Sequence, residues 1–252
     1  MKFGYTINNK LMMNSNGKLL GVEVNDPYNP LNLPQGTIRV RTNDGLPPVN
    51  GNYDTATLVE GTYDVYDVYK SGSDFDRLLR DSTNVIQVLG GNTRIINHIY
   101  YTFAGCTSLT SVALFDTSNV RDFSHMFDNC SSLVTVPLFD TSKAHSLRGM
   151  FNLCKSIETI PLYDTSNANY LGYMCWGCFS LTNIPLFDTS KVTIMNEMFW
   201  RCYKVESGAL ALYQQASTQS TPPTDYSGCF HACGLDTQTG SAELAQIPSD
   251  WK

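Results

Sequence analysis

Five cysteines stand 24 residues apart, at Cys106, Cys130, Cys154, Cys178 and Cys202, and Asp116, Asp140, Asp164 and Asp188 keep the same interval. A fixed period of this length marks a chain wound in coils, because one coil cannot bury its own apolar face and needs a neighbour on each side. The middle of the chain therefore reads as a repeat solenoid. A repeating surface, rather than a single pocket, becomes the place to look for function.

Three apolar columns run through the coils: Leu109, Leu133, Ile157 and Leu181; Val112, Val136, Ile160 and Ile184; Leu114, Leu138, Leu162 and Leu186. This L-x-x-V-x-L spacing predicts a strand with alternate residues inward, paired edge to edge with the next coil. On that assignment Leu138→Ala removes core volume and costs about 2–5 kcal/mol. After Asp-Thr-Ser the beat changes to Val120, Phe123, Met126, Phe127 and Cys130. Three-to-four-residue spacing predicts one or two helical turns packed back on the strand layer. The fold class is thus α+β, a leucine-rich-repeat-like coil of five 24-residue repeats.

The flanks differ. Residues 1–72 alternate as strands around Thr37-Ile-Arg-Val-Arg-Thr and Gly61-Thr-Tyr-Asp-Val-Tyr, with turns at Asn43-Asp-Gly and Leu46-Pro-Pro, which predicts a small β-rich module for attachment or capping. Residues 73–235 form the solenoid, opened by a degenerate coil with Val85, Val88 and Ile96 and broken by an insertion at 213–228 rich in Gln, Ser, Thr and Pro. Residues 236–252 close it, with a short helix over Ala242–Ile247, since exposed solenoid ends need covers.

With 17 basic against 23 acidic residues, the net charge of −6 leaves no basic stripe to displace counterions from phosphate, which argues against a nucleic-acid partner. No apolar run is long enough to span a bilayer. The N-terminus lacks the apolar core and cleavage site of a secretory signal, which predicts synthesis in the cytoplasm without a signal peptide. There is no nucleophile elbow, phosphate loop or His-Glu metal helix, and the four His (98, 125, 145, 231) fall in different columns, so the chain reads as non-enzymatic with no cofactor.

Each candidate site has a structural and a functional reading. The cysteine ladder fits small buried hydrophobes stacked coil on coil, against metal or disulfide roles. Cys175-Trp-Gly-Cys178 looks like a redox pair, but Cys175 stands where other coils carry Phe103, Phe127, Phe151 and Phe199. Cys229, His231 and Cys233 lack a second ligand pair at zinc-finger spacing, so no metal site is expected. The Asp column fits backbone capping better than calcium. Phe115, Phe139, Tyr163 and Phe187 face solvent by strict alternation, yet a corner can roll them inward. The most informative change is in the turn columns. Early coils carry Asp122, His125 and Asp128, then Ser146, Gly149 and Asn152; later coils carry Tyr170, Tyr173, Trp176 and Phe179, then Trp200 and Tyr203. Large rings exposed together mark interaction sites. The alternatives are that the 213–228 insertion covers them, or that they are scattered.

Met126-Phe-Asp-Asn-Cys-Ser-Ser-Leu, followed by Phe139-Asp-Thr-Ser, resembles the BspA-type leucine-rich repeats of bacterial surface proteins, over residues 82–235. The resemblance implies a right-handed solenoid and adhesion or recognition rather than catalysis. A short N-terminal module before such repeats resembles appendage proteins of gut bacteriophages. The expected function is host recognition as a virion or tail component that binds a protein or glycan on a bacterial surface. The alternatives are a structural decoration protein held by other virion proteins, and an intracellular adaptor. Location follows the same branches: virion-associated, cytoplasmic, or cell surface by another route. Self-association is left open.

Overall fold

The computed structural model describes residues 33–94 and 96–252. The first 32 residues of the expected N-terminal module lie outside the described residues. The remainder of that module contributes to a five-stranded sheet in the order β2-β3-β1-β4-β5. β1 (Thr37–Thr42) is the alternating Thr-Ile-Arg-Val-Arg-Thr segment, with Ile38 and Val40 buried. It pairs antiparallel with β3 (Val65–Tyr69) on one side and β4 (Val85–Asn92) on the other; β2 (Thr55–Leu58) forms the edge. Arg39 spans β1 and β3 with two hydrogen bonds to the Asp67 carboxylate, 2.6 and 2.8 Å.

β4 is the strand of the degenerate coil, and it pairs parallel with β5 (Ser111–Val112), Gln87 opposite Ser111. That offset of 24 is the sequence period. The N-terminal sheet therefore continues by hydrogen bonds into the first coil, across the expected boundary at residue 72.

Beyond β5 the expected strands shrink to isolated bridges, Ser111 to Thr135 and Asn183 to Ser207. The reason lies in one column. Ala113 donates its N–H to Val88 O of the preceding coil, but Pro137, Pro161 and Pro185 have no N–H to give. Each of these prolines instead accepts from the residue two further on: Phe139 N–H to Pro137 O, Tyr163 to Pro161 and Phe187 to Pro185. Such a three-residue turn puts the leucine at its apex. Phe115, Phe139, Tyr163 and Phe187 are all buried, whereas Leu138, Leu162 and Leu186 are 60%, 59% and 52% exposed. The third apolar column is therefore not core, and the corner aromatics take its place. Leu114, which follows Ala113 rather than proline, stays half-buried against the core.

The turn segments, expected as one or two helical turns, are not helical. Phe123, His125, Phe127 and Asn129 donate to Ser146, Arg148, Met150 and Asn152 of the next coil, while Met126, Asp128 and Cys130 donate three residues back. Alternate N–H groups thus serve the neighbour and the local turn. Two residues per coil must be left-handed to achieve this: Tyr101, His125, Gly149, Tyr173 and Glu197 in one column, Gly105, Asn129, Leu153, Gly177 and Arg201 in the other. A continuous α-helix permits neither. Among the described residues, helices occur only at the C-terminal end: α1 (Ala209–Thr218), α2 (Gln238–Gln246) and one 3-10 turn at Ser249–Trp251.

The core is a stack of rings along the coil axis. Phe103, Phe127 and Phe151 lie nearly parallel at 5.4 and 5.8 Å, and Phe115 meets Phe139 at 5.1 Å. Beside them runs a buried hydroxyl ladder: Thr93, Thr117, Thr141 and Thr165 each donate to the Asp carbonyl of the next coil, 2.7–2.9 Å away. At the last rung Thr189 finds Gln219 Oε1 at 2.8 Å, and Gln215 donates to Phe187 O at 2.6 Å. The insertion therefore stands in for a missing coil on the threonine side.

Candidate recognition surface

Column by column, parallel bridges tie Asp74, His98, Asp122, Ser146, Tyr170, Ile194 and Asp225 across successive coils. The side chains on this edge form one continuous face. In its later coils Arg148 lies over two rings, its guanidinium carbon 5.4 Å from the centre of Tyr170 and 5.7 Å from that of Tyr173. Glu197 receives the Tyr173 hydroxyl at 3.4 Å and the Trp176 indole N–H at 3.0 Å. Trp200 stacks on His231 at 3.9 Å. Tyr170, Tyr173, Trp176 and Trp200 are each partly exposed. Burial, with help from the Glu197 charge, raises the Tyr173 hydroxyl above its ordinary pKa, so it stays a donor at neutral pH.

Phe179 and Tyr203 form a separate pair in their own column, stacked at 5.7 Å and partly exposed. The insertion hydrogen-bonds to Phe187, Thr189 and Thr193, and the Asp225 and Ser227 carbonyls accept the N–H groups of Met195 and Glu197. Trp200 does meet the last residue of the insertion: a Cβ on Gly228 would lie 2.6 Å from its ring, so Gly228, left-handed, makes the room and the insertion covers part of Trp200.

Sequence reasoning missed a second aromatic group at the other end of this face. Tyr101 stacks on His125 at 4.6 Å, Tyr100 meets Tyr101 edge-on at 4.3 Å, and Arg80 lies over Tyr101 at 4.9 Å. Aligning the degenerate coil through its apolar columns alone passes over this pair; counting back 24 from Ser124 and His125 finds both tyrosines. Between the two groups, His125 Nδ1 meets Asp128 at 2.9 Å and Asn152 donates to the other Asp128 oxygen at 2.9 Å. Arg148 and Glu197, which organise the later rings, carry no signal in the sequence because their partners lie one coil away.

The Asp column is local in its bonding. Asp116, Asp140, Asp164 and Asp188 each accept the N–H of the serine two residues on, at 2.8–3.0 Å. All eight cysteines are free and buried. Cys106, Cys130, Cys154, Cys178 and Cys202 point their thiols at carbonyls one coil back, Leu79, Phe103, Phe127, Phe151 and Cys175, at 3.0–3.1 Å. Burial pushes the Cys106 thiol up to about 12 and raises Cys130, Cys154, Cys175, Cys202, Cys229 and Cys233 too, which leaves them protonated and unreactive. Among the described residues, Asp74, Asp76 and His98 could offer three donor atoms to a cation, all within 4.8 Å of one another and largely exposed. No helix among the described residues is long and apolar enough to cross a membrane.

Residues 97–213 match the family described as Mycoplasma protein of unknown function, DUF285. No curated protein matches. Among solved structures, a leucine-rich repeat protein from Eubacterium ventriosum is similar at 17% identity and a TM-score of 0.42, over 66% of this chain and 44% of that one. A leucine-rich repeat protein of T. pallidum is similar at 14% identity and a TM-score of 0.44, over 76% of this chain and 80% of that one. The chain thus spans less than half the length of the Eubacterium ventriosum protein.

Proposed function

We propose that this chain is a non-enzymatic recognition module whose ligand is a glycan or protein of a bacterial surface, held on the face built by Arg148, Tyr170, Tyr173, Trp176 and Trp200. The observation that carries this reading is the side-chain order there: Arg148 on two tyrosine rings and Glu197 holding both Tyr173 and Trp176. Tyr, Trp and Arg dominate binding hot spots because they bury large area with few rotatable bonds. Here their rotamers are fixed before any ligand arrives, which lowers the ordering cost of binding. The finer reading makes the solenoid a right-handed BspA-like coil displayed on a bacteriophage virion or tail, with the N-terminal module joining it to other virion proteins.

The test is binding of the fluorescently labelled full chain to whole bacterial cells and to arrays of bacterial polysaccharides. Tyr173→Ser with Trp176→Ser should abolish binding, while Thr135→Ala on the opposite edge should not. Loss of the folded state in the double variant would reassign these rings to the core. Unchanged binding by a folded double variant would refute the site.

A further inference from the structure

We propose that the exposed leucine row Leu138, Leu162 and Leu186, with the acidic row beside it, is a docking strip for a basic amphipathic α-helix of a partner protein. It lies on a different part of each coil from the aromatic face, so either proposal can fail alone.

The leucines are exposed by construction. Each sits at the apex of a turn closed from the aromatic N–H to the proline carbonyl, and the proline ring fixes the backbone on its other side. The row stands one coil apart per step, about 4.8 Å, the separation of hydrogen-bonded neighbouring strands. The half-buried prolines 137, 161 and 185 widen the apolar strip on one flank. Three large leucines at 52–60% exposure in one line differ from the scattered apolar residues of an ordinary surface.

Charge states what should cover the strip. Two residues beyond each leucine stand Asp140, Asp164 and Asp188, and Asp116 continues their row. Each binds its serine N–H through one oxygen and keeps acceptor capacity on the other. On the far side Glu158 and Glu206 are exposed, each with an exposed lysine close before it in the chain, Lys155 and Lys204, so the stronger acidic flank is the Asp row. Lys143 and Lys191 donate along their own row to Asn119 and Asn167, and the Lys191 charge also acts on Asp164 and Asp188, leaving Asp140 and Asp116 as the less compensated part of the row. An apolar strip with acidic flanks fits an apolar ridge with basic flanks.

Pitch selects the element. Residues i, i+3 and i+7 of a helix rise about 5 Å per step, close to the coil spacing. Same-face residues of a strand are about 6.6 Å apart and fall out of register by the third leucine. A second copy of this chain would set acidic rows against acidic rows, which costs free energy.

The probe is a synthetic helix of about four turns with leucines at i, i+3, i+7 and i+10 flanked by lysines, measured by fluorescence anisotropy against the full chain. Its counterpart carries glutamates for the lysines. Expected are binding of the lysine helix only, at least a tenfold loss in Leu138→Ser/Leu162→Ser/Leu186→Ser with an unchanged melting temperature, and a weaker salt dependence in Asp140→Asn/Asp164→Asn. Equal binding to the triple leucine variant, or none to the native chain, would overturn the proposal. So would a dimer of the native chain that the triple variant dissolves, since a second copy would then own the strip. Slow thiol labelling of Leu162→Cys in the full chain would overturn it too, because the chain itself would then cover the leucines.

Discussion

Pro137 has no N–H for the neighbouring coil, so its carbonyl and the Phe139 N–H close a local turn instead. The apex residue, Leu138, is thrown out and the ring of Phe139 rolls in. Phe139→Ala should therefore cost about 3–5 kcal/mol, whereas Leu138→Ala should stay within about 0.5 kcal/mol. Urea unfolding of the two variants checks this, and equal midpoints would contradict it. A second consequence at single residues concerns acid. The Ser166 hydroxyl and N–H hold the Asp164 carboxyl below the usual range, and the Ser190 N–H and hydroxyl do the same for Asp188. A depressed folded pKa contributes stability that is present above the unfolded value, about 3.9, and is lost as pH falls through the folded one. Asp76, raised by burial, works in the opposite sense. Thermal unfolding of the native chain should thus lose more between pH 5 and pH 2 than that of Asp164→Asn/Asp188→Asn, which keeps the caps without the titration.

Among the elements, the columns at Leu109, Val112, Phe123, Met126 and Cys130 were legible because burial repeats with the period, and the solvent does not care how the backbone turns between them. The element types were less legible. Spacing of three to four fits both a helix and a run of left-handed corners that hand alternate N–H groups to the next coil, and only the register between coils separates them. Gly149 shows the constraint: it is left-handed, and a Cβ there would lie 2.7 Å from the His125 ring. Gly149→Ala should destabilise by more than about 1 kcal/mol, measured by the melting temperature. The buried threonine ladder was hidden for a different reason, since Asp-Thr-Ser reads as a polar turn until the next coil's carbonyl is in place. Thr165→Val keeps the shape but leaves the Asp188 carbonyl without its donor, and should cost about 1–3 kcal/mol. No loss would show that water or relaxation supplies the missing bond.

Taken together, the coils form a stack closed at both ends by parts that imitate a coil. β1–β4 continue the sheet at one end; α1 with Gln219 and the Trp251 ring against Tyr226 and Phe230 cover the other. The eight thiols lie inside this stack, so a thiol reagent should label them only after denaturation, and rapid labelling of native protein would mean the coils open. The aromatic composition change was visible in the sequence; its organisation by Arg148 and Glu197 was not, since that needs the 24-residue stagger in space. Recognition by the aromatic face is open to a direct optical test, because the tryptophans sit on it. Of the three, Trp176 and Trp200 are on the face and Trp251 is buried in the C-terminal cover. In Trp251→Phe, addition of the polysaccharide or surface protein bound most tightly by the native chain should shift the tryptophan emission and protect it from iodide quenching. Binding that leaves both emission and quenching unchanged would place the ligand elsewhere and rule out recognition by this face.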